Sequence, residues 1–275
     1  MSTTVPRDRS ASQLRRWFRP LARAGYAARG LIYLVIGLFA ALAATGAGQT
    51  MGSRDALERL MNTGGGVAIA WLLAAALAFH ALWRLVQAGF DTDDHGVDAK
   101  GLAVRGGLLV SGVTYLALTA YTISRARGVG GGDGDDGGNV ARWLAAFVGT
   151  TFAGATIAAA LVGAGVAHVV KALRERYARH MEASPSMMRI VHPIAKVGLI
   201  ARGAVFAVAG FMLGLNALRG GGGGDPPGSA EALQYIQDLP FGALLLAATG
   251  MGLVLFAAYS FAEALLRRIN VEDAV

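Results

Sequence analysis

Long apolar runs separated by short clusters of charged residues dominate the pattern of this chain. Six runs consist mainly of Ala, Leu, Val and Gly, and they lie at 24–44, 66–86, 102–123, 144–170, 197–218 and 241–266. A helix of about 20 apolar residues crosses the hydrocarbon core of a bilayer. None of the runs alternates strictly as a barrel strand does, and a helix satisfies its own backbone hydrogen bonds in lipid. The pattern therefore predicts six transmembrane α-helices.

Shorter amphipathic segments lie between the two spans of each successive pair. They begin at Ser53, Asn139 and Ser229, which are residue types favoured at helix N-caps, and apolar positions follow at helical spacing. The predicted fold is an all-α membrane protein of six transmembrane helices, arranged as three tandem two-helix repeats. Each repeat carries a short interfacial helix on the extracytoplasmic side. The predicted divisions are a basic cytoplasmic N-terminal arm (1–20), repeats at 21–90, 98–180 and 194–268, and a C-terminal tail (269–275).

The distribution of Lys and Arg predicts the orientation. If the N-terminus is cytoplasmic, only six of the 25 Lys and Arg residues fall outside, namely Arg54, Arg59, Arg125, Arg127, Arg142 and Arg219. Cytoplasmic connections carry the excess of basic residues in membrane proteins. We therefore expect both termini in the cytoplasm. The first span is longer than the apolar core of a signal peptide and its pattern recurs internally, so we expect it to be retained.

One arginine lies in the first turns of each odd-numbered span, at Arg29, Arg105 and Arg202. A glycine lies four residues before each arginine and another lies directly after it. These glycines are Gly25 and Gly30, Gly101 and Gly106, and Gly198 and Gly203. Steps of four keep residues on one helix face. The stripe therefore predicts a close helix contact beside each guanidinium.

Each of these arginines needs a partner, because the positive end of its own helix dipole disfavours a cation. Three partners are open: lipid phosphate reached by snorkelling, the C-terminal carbonyls of a neighbouring even-numbered helix, and Glu263, the only carboxylate set within an even-numbered span. Snorkelling combined with helix packing is the favoured interpretation. The alternatives are an anion-attracting cluster of the three arginines around a central axis, or recognition of a lipid headgroup.

Further polar residues lie near the cytoplasmic ends of the even-numbered spans. They are His80, Arg84, His168, Lys171, Tyr259 and Glu263. Interfacial anchoring is the favoured interpretation, and a proton relay or ligand contact is the alternative. The stretch 171–189 is predicted to extend the fourth helix past the membrane. His192 and Pro193 are predicted to turn the chain before the fifth span.

The repeated Gly-x3-Arg-Gly stretches, with ALERLMNTGGG and EALQYIQDLPFG before the second helix of a unit, resemble the bacterial membrane family called domain of unknown function 1206. The resemblance covers about 21–268. The middle unit departs most, because its outer segment lacks the acidic start. The resemblance implies three tandem two-helix units in a bacterial cytoplasmic membrane, and it brings no catalytic residues.

Composition narrows the classes of function. Charged residues make up 16% of the chain, against about 25% in soluble domains. The absence of Cys excludes disulfides and thiolate metal sites. Despite a net charge of +7, the basic residues flank apolar runs, which argues against nucleic-acid binding. We expect no cofactor and no metal; the expected partner is the lipid bilayer, with anionic lipid at the cytoplasmic leaflet, and protein partners stay open.

No catalytic constellation stands out in the sequence. We therefore expect a multi-pass membrane protein that is not an enzyme, acting as a scaffold or an accessory to envelope physiology. The alternative is a transporter or channel for a small solute or ion, with a central cavity between the three repeats. A membrane-embedded enzyme is the third hypothesis, and it would require turnover that depends on His80, His168 or Glu263.

Overall fold

The computed structural model describes residues 9–62, 64–91, 96–127, 150–219 and 229–268, and these ranges are almost entirely helical. Its helices are α1 (Arg9–Ala44), α2 (Ser53–Met61), α3 (Gly66–Phe90), α4 (Ala99–Ala126), α5 (Thr150–Leu173), α6 (Pro185–Leu218), α7 (Ser229–Gln237) and α8 (Gly242–Leu266). By length and composition, α1, α3, α4, α5, α6 and α8 are each able to cross a membrane. The predicted all-α membrane class is confirmed.

Some predicted features lie outside the described residues. They are the start of the fourth span (144–149) and the outer helix beginning at Asn139. Helix α1 begins inside the predicted N-terminal arm, and α6 begins before the predicted start of the third repeat. The repeat boundaries therefore stay predictions.

The long helices pack in a consistent order. The most extensive contacts pair α1 with α8, α5 with α6, and α3 with α4, while α6–α8 and α1–α3 contacts are smaller. In chain order the six spans are α1, α3, α4, α5, α6 and α8. Two of the extensive pairs, α3–α4 and α5–α6, join an odd-numbered span to the even-numbered span before it. The third pair joins the first span, α1, to the last, α8. Among the described residues, α4 and α5 share no comparable interface. The neighbours therefore run α4, α3, α1, α8, α6, α5.

Glycines on both partners bring two of these pairs close together. A Cβ atom on Gly37 of α1 would lie 2.8 Å from the carbonyl oxygen of Gly250 on α8. A Cβ atom on Gly203 of α6 would lie 2.7 Å from the carbonyl oxygen of Gly165 on α5. Close backbone packing is a main source of helix association in lipid, where the hydrophobic effect supplies little. The glycines therefore fix the two crossing points.

Apolar side chains fill the space between the helices. The largest cluster joins α1, α3 and α8 to the short helices α2 and α7, and its fully buried members include Ile32, Ile36, Leu57, Leu77, Leu233 and Leu246. Helices α2 and α7 lie at one end of the bundle, called here the α2 end. The opposite end is called the Arg29 end. The core therefore continues from the long helices into both short ones.

The two short helices lie where the sequence places two of its three outer segments. The N-cap of α2 is Gly52, one residue before the predicted N-cap, Ser53. The backbone N–H of Gly52 donates to Asp55 Oδ2 at 2.8 Å, which satisfies one orphan donor of the helix start. The position of α2 and α7 at a membrane surface and the threefold repeat stay predictions.

The connection between α5 and α6 differs from the prediction. The stretch 171–189 does not extend the fourth helix, because α5 ends at Leu173 and Glu175 adopts the left-handed conformation (φ 50°). A 3₁₀ turn (Arg176–His180) follows. Ser184 then caps α6, its Oγ accepting a hydrogen bond from the Met187 N–H at 3.3 Å. A Ser cap followed by Pro185 at the first position favours a helix start.

The predicted turn at His192 and Pro193 is also wrong. Pro193 lies inside α6, where its ring removes one backbone hydrogen bond. The helix continues through it because it is already nucleated at Ser184 and Pro185, about two turns earlier. Pro193 disfavours a helix locally, but the helix start at Ser184 and Pro185 outweighs this effect.

Candidate functional site

Arg29 of α1 and Glu263 of α8 form a buried ion pair at the Arg29 end. The two side chains are only 4% and 1% exposed. An Nη2 hydrogen of Arg29 bonds to Glu263 Oε2, and Arg29 Nε donates to Ser260 Oγ at 3.2 Å. Ser260 lies one turn before Glu263 on the same helix. Of the three partners open to Arg29 from the sequence, the structure places Glu263 against it.

Two more cations share the same carboxylate. Arg267 Nη1 lies 2.8 Å from Glu263 Oε1, and Lys171 Nζ of α5 lies 3.8 Å from the same oxygen. Both carboxylate oxygens are thus engaged by positive charge. Because Lys171 comes from a different predicted repeat, the packing of α6 against both α5 and α8 brings together residues that the sequence separates.

Three guanidinium groups lie around the ring of Tyr26. The Cζ atoms of Arg29, Arg84 and Arg267 lie 5.1, 5.7 and 5.4 Å from its centroid. Cations within about 6 Å of an aromatic face are attracted by the ring quadrupole. The Tyr26 hydroxyl accepts a hydrogen bond from Trp83 Nε1 at 3.2 Å, which fixes the ring against α3.

The residues Arg29, Arg84, Lys171 and Arg267, grouped around Glu263, are called here the cationic cluster. Arg84 belongs to the cluster because its guanidinium shares the ring of Tyr26 with those of Arg29 and Arg267. Helices α1, α3, α5 and α8 each contribute to this cluster, with Arg267 at the end of α8. The cluster is therefore a product of the tertiary packing and not of any one helix.

Arg105 uses a different partner. Its Nε donates to the carbonyl oxygen of Ala88 at 2.8 Å, and its Nη2 donates to that of Gly89 at 2.9 Å. These carbonyls belong to the last turn of α3, which has no intrahelical partners for them and carries the negative end of the helix dipole. The helix-end carbonyls proposed from the sequence are thus the partner of Arg105.

Arg202 is held by aromatic rings. Its Cζ lies 4.8 Å from the ring centroid of Tyr33, 5.0 Å from that of Phe206 and 4.7 Å from that of Phe256. The residue is only 9% exposed, and its Nε has no hydrogen-bond partner in the part of the chain that the structure describes. The sequence reasoning missed this partner. The available signal was the large apolar residue four positions after each arginine, which is Tyr33 after Arg29 and Phe206 after Arg202.

The glycines before the arginines allow a close helix contact in both the first and the third unit. A Cβ atom on Gly25 would lie 2.7 Å from the Cα of His80 on α3, and one on Gly198 would lie 2.6 Å from the Cα of Phe256 on α8. Each glycine therefore admits the second helix of its own unit. In the middle unit, the buried Gly101 instead lies at the start of α4, where its N–H donates to the Asp98 side chain at 2.7 Å.

The glycines after the arginines are less alike. A side chain on Gly30 would meet the ring of Phe261 on α8, and one on Gly203 would meet Gly165 on α5. Nothing lies within 4 Å of the corresponding position at Gly106. The middle unit therefore departs from the other two in structure as well as in sequence.

Of the two histidines singled out from the sequence, His80 is buried and His168 is partly buried. His80 is wholly buried, its ring edge-on to Tyr26 and Tyr115 with centroids 5.0 and 4.6 Å away. Neither ring nitrogen has a hydrogen-bond partner among the described residues. His168 Nδ1 lies 2.7 Å from the Ala164 carbonyl oxygen. Tyr259 is also buried, with Lys171 Nζ 5.5 Å from its ring centroid, so it belongs to the rim of the cationic cluster.

The described residues contain no group of three His, Cys, Asp or Glu placed to hold a metal ion. The side chains at the Arg29 end therefore offer hydrogen-bond donors and positive charge as their main chemistry.

Comparison with known proteins identifies the family of this chain. A family model described as Domain of Unknown Function (DUF1206) matches residues 24–91 and 197–267, which is just over half of the chain. The chain belongs to the DUF1206 family. The matched regions are the first and third units, which hold Arg29, Glu263 and Arg202, and the divergent middle unit is not matched.

One relative of this DUF1206 member is an uncharacterized protein, YxxB, of Bacillus subtilis (strain 168). It is 26% identical over 278 residues, which cover 97% of this chain and 98% of the relative. No solved structure matches. The family assignment and the six long apolar helices together identify a multi-pass membrane protein of a family of unknown function.

The α5–α6 connection of this DUF1206 chain and the N-terminal part of α6 together hold a second, smaller polar group. Glu175 Oε1 lies 2.6 Å from Lys196 Nζ, and Glu175 Oε2 lies 3.5 Å from His192 Nδ1. The hydrogen bond from Lys196 lowers the pKa of Glu175 below its usual range. The hydroxyl of Tyr177 lies 2.9 Å from His192 Nδ1, and burial together with the charge of Glu175 raises the pKa of Tyr177 to about 12.

Proposed function

We propose that this chain is a non-enzymatic multi-pass protein of the bacterial cytoplasmic membrane, acting as a scaffold or an accessory to envelope physiology. The Arg29 end faces the cytoplasm, both termini lie on that side, and exposed basic residues there contact anionic lipid. The observation that carries the proposal is that, among the described residues, exposed arginines without a side-chain partner are more numerous at the Arg29 end of the bundle than at the α2 end.

The Arg29 end presents exposed basic side chains. These are Arg23, Arg174, Arg179 and Arg189, together with Arg268, whose Nε lies 3.7 Å from Glu182 Oε1. At the α2 end, Arg54 lies over the ring of Tyr121, Arg59 lies over that of Phe39, and Arg125 pairs with Glu58 at 2.9 Å, while Arg127 and Arg219 are exposed. Basic residues near an anionic leaflet contribute about 1 kcal/mol each to its attraction. This asymmetry also supports the cytoplasmic orientation.

The filled interior supports an accessory role over transport. The space between α1, α3 and α8 is occupied by packed apolar side chains, and at the Arg29 end it is occupied by Arg29, His80 and Tyr26. Conduction needs a continuous polar path with sites that release their ion. The alternative of a small-solute or ion transporter has one observation in its favour, which is that α4 and α5 share no extensive interface among the described residues.

Orientation can be tested directly, because the chain contains no Cys. Gln49→Cys lies between α1 and α2, and Ser186→Cys lies at the exposed start of α6. In intact cells, we expect a membrane-impermeant maleimide to label only Gln49→Cys, with Ser186→Cys labelled after permeabilisation. The reverse pattern would overturn the proposed orientation.

Lipid preference can be tested in nanodiscs that contain dansyl-phosphatidylglycerol and phosphatidylcholine, using energy transfer from the Trp residues. We expect enrichment of the anionic lipid that falls at high salt and falls in Arg174→Gln/Arg189→Gln. The matched control, Arg54→Gln/Arg59→Gln at the α2 end, should keep the enrichment. Equal enrichment in all three proteins would contradict the proposal. Specific flux of a small solute or ion in proteoliposomes would favour the transporter instead.

A further inference from the structure

We propose that the cationic cluster is a binding site for one phosphate group, reached from the Arg29 end between Arg84 and Lys171. The site goes beyond the surface attraction proposed above, because it lies inside the bundle and uses different residues. The phosphate comes from either an anionic lipid headgroup or a soluble phosphate, and the chemistry recognised is the same.

Charge balance is the first argument. Arg29 and Lys171 contact Glu263, and Arg84 shares the ring of Tyr26 with Arg29, so three cations lie around one carboxylate of the described residues. Both of its oxygens are already engaged. Positive charge removed from water without a counter-charge is costly in a low-dielectric interior. A doubly charged anion would offset most of the surplus.

Unused donors are the second argument. The Nε of Arg84 is buried and has no hydrogen-bond partner in the described part of the chain, and its Nη1 donates only to the neutral side-chain oxygen of Gln87 at 3.1 Å. Arg202 adds a second such Nε, and its guanidinium shares the ring of Phe256 with that of Arg29. A guanidinium fork beside an ammonium group is the usual donor set for phosphate.

Access is the third argument. Arg29 and Glu263 are buried, whereas the side chain of Lys171 is 34% exposed and Arg84 is half-buried. The two residues come from α3 and α5: Arg84 lies over the ring of Tyr26, and Lys171 lies 3.8 Å from Glu263 Oε1. An anion can therefore reach this pair first, with Arg29 and Arg267 already held in place by Glu263. Preorganised charge of this kind binds without a large ordering cost.

The test uses the full chain in phosphatidylcholine nanodiscs, titrated with inorganic phosphate in an isothermal calorimeter. A second arm uses phosphatidylglycerol nanodiscs without phosphate, followed by native mass spectrometry to count retained lipid. Binding in the first arm identifies soluble phosphate as sufficient. Retention only in the second arm assigns the phosphate to the lipid. The absence of binding in both arms would overturn the proposal.

Variants locate the site. We expect Arg84→Gln and Lys171→Gln to weaken binding at least about tenfold, and Lys171→Arg to retain it. Arg174→Gln is the matched control, because Arg174 is exposed and follows Lys171 closely in the chain. It should weaken general lipid enrichment and leave phosphate binding unchanged, which separates failure of this site from failure of the surface proposal. Binding that survives both Gln variants, with the fold intact by circular dichroism, would refute the assignment.

Glu263→Gln provides a test in the opposite direction. Removal of the carboxylate frees Arg29 and Arg267 for the anion, so phosphate should bind about tenfold more tightly than to the parent protein. Phosphate should also raise the unfolding temperature of this variant more than that of the parent. Weaker binding in Glu263→Gln would show that the carboxylate helps to hold the ligand, and the proposed charge logic would be wrong.

Discussion

Arg29 and Glu263 are 234 residues apart in the chain and form an ion pair where α1 packs against α8. The pair joins the first span to the last at the middle of the row of helices. Glu263 also receives Lys171 and Arg267, so one carboxylate serves three cations. Removal of Glu263 therefore takes the carboxylate away from three cations, whereas removal of Arg29 leaves Glu263 with two.

We predict that Glu263→Gln destabilises the protein more than Arg29→Gln does. Without Glu263, three buried or partly buried cations lose their counter-ion, and a broken buried pair costs roughly 3–5 kcal/mol. Without Arg29, Glu263 retains Arg267 and Lys171, so we expect about half of that loss. The free energy of unfolding in phosphate-free detergent solution measures both.

The exposed pair of Arg125 and Glu58 supplies the control. Its side chains are 35% and 36% exposed, so Arg125→Gln should cost less than about 1 kcal/mol. If Arg29→Gln proves as harmful as Glu263→Gln, the two residues form an isolated pair and Glu263 is not a shared counter-ion.

The sequence predicts the spans well because apolar run length determines which segments can cross a bilayer. It also identifies Arg29, Arg105 and Arg202 as a set, yet it cannot assign their partners. Glu263 and the Ala88 carbonyl reach Arg29 and Arg105 through the pairing of α1 with α8 and of α4 with α3, whereas the ring of Phe256 reaches Arg202 through the contact of α6 with α8. Sequence neighbours within a unit give no signal for that pairing.

The α5–α6 connection shows the same limit locally. Pro193 is a genuine helix breaker in isolation, but the cap at Ser184 and the first-turn Pro185 lie outside the window that a proline rule considers. The left-handed Glu175 is equally invisible, since nothing about a glutamate predicts a positive φ. Tertiary context decides both features.

We predict that Arg202 tolerates Lys better than Gln. Three aromatic rings surround its guanidinium, and desolvated cation–π contacts contribute about 2 kcal/mol. Arg202→Lys keeps the charge within the cage, whereas Arg202→Gln removes it. Thermal unfolding in detergent should therefore rank parent, Lys and Gln in descending stability.

Arg105 should behave differently, which makes it the matched comparison for Arg202. Its two hydrogen bonds to the end of α3 depend on the planar fork of the guanidinium. Arg105→Lys and Arg105→Gln should therefore cost similar amounts, about 1 kcal/mol each at this partly exposed site. A large Lys–Gln difference at Arg105 with none at Arg202 would show that the partners are misassigned.

We predict that Gly250→Ala destabilises the contact of α1 with α8. The new Cβ atom would lie 2.6 Å from the backbone nitrogen of Ala41 and 2.8 Å from the carbonyl oxygen of Gly37, so the helices must separate. Overpacking of this kind costs about 1–3 kcal/mol. Gly106→Ala is the control, because nothing lies within 4 Å of its added methyl group. Alanine in an open helical position should stabilise by about 0.5–1 kcal/mol, and equal effects at the two glycines would argue against the crossing point.

We predict that the α5–α6 connection loosens at both extremes of pH. The pKa of Glu175 is lowered from 4.5 by its hydrogen bond with Lys196, so its stabilising contribution is complete above pH 4.5 and is lost as the pH falls through the lower, folded-state value. The pKa of Tyr177 is raised from 10 to about 12, so its contribution is complete below pH 10 and is lost between about pH 10 and 12. Hydrogen exchange of the backbone amides at 176–180, corrected for intrinsic rates, measures this opening. Glu175→Gln should remove only the acid-side change and Tyr177→Phe only the alkaline one; if each variant retained both changes, other groups would control the connection.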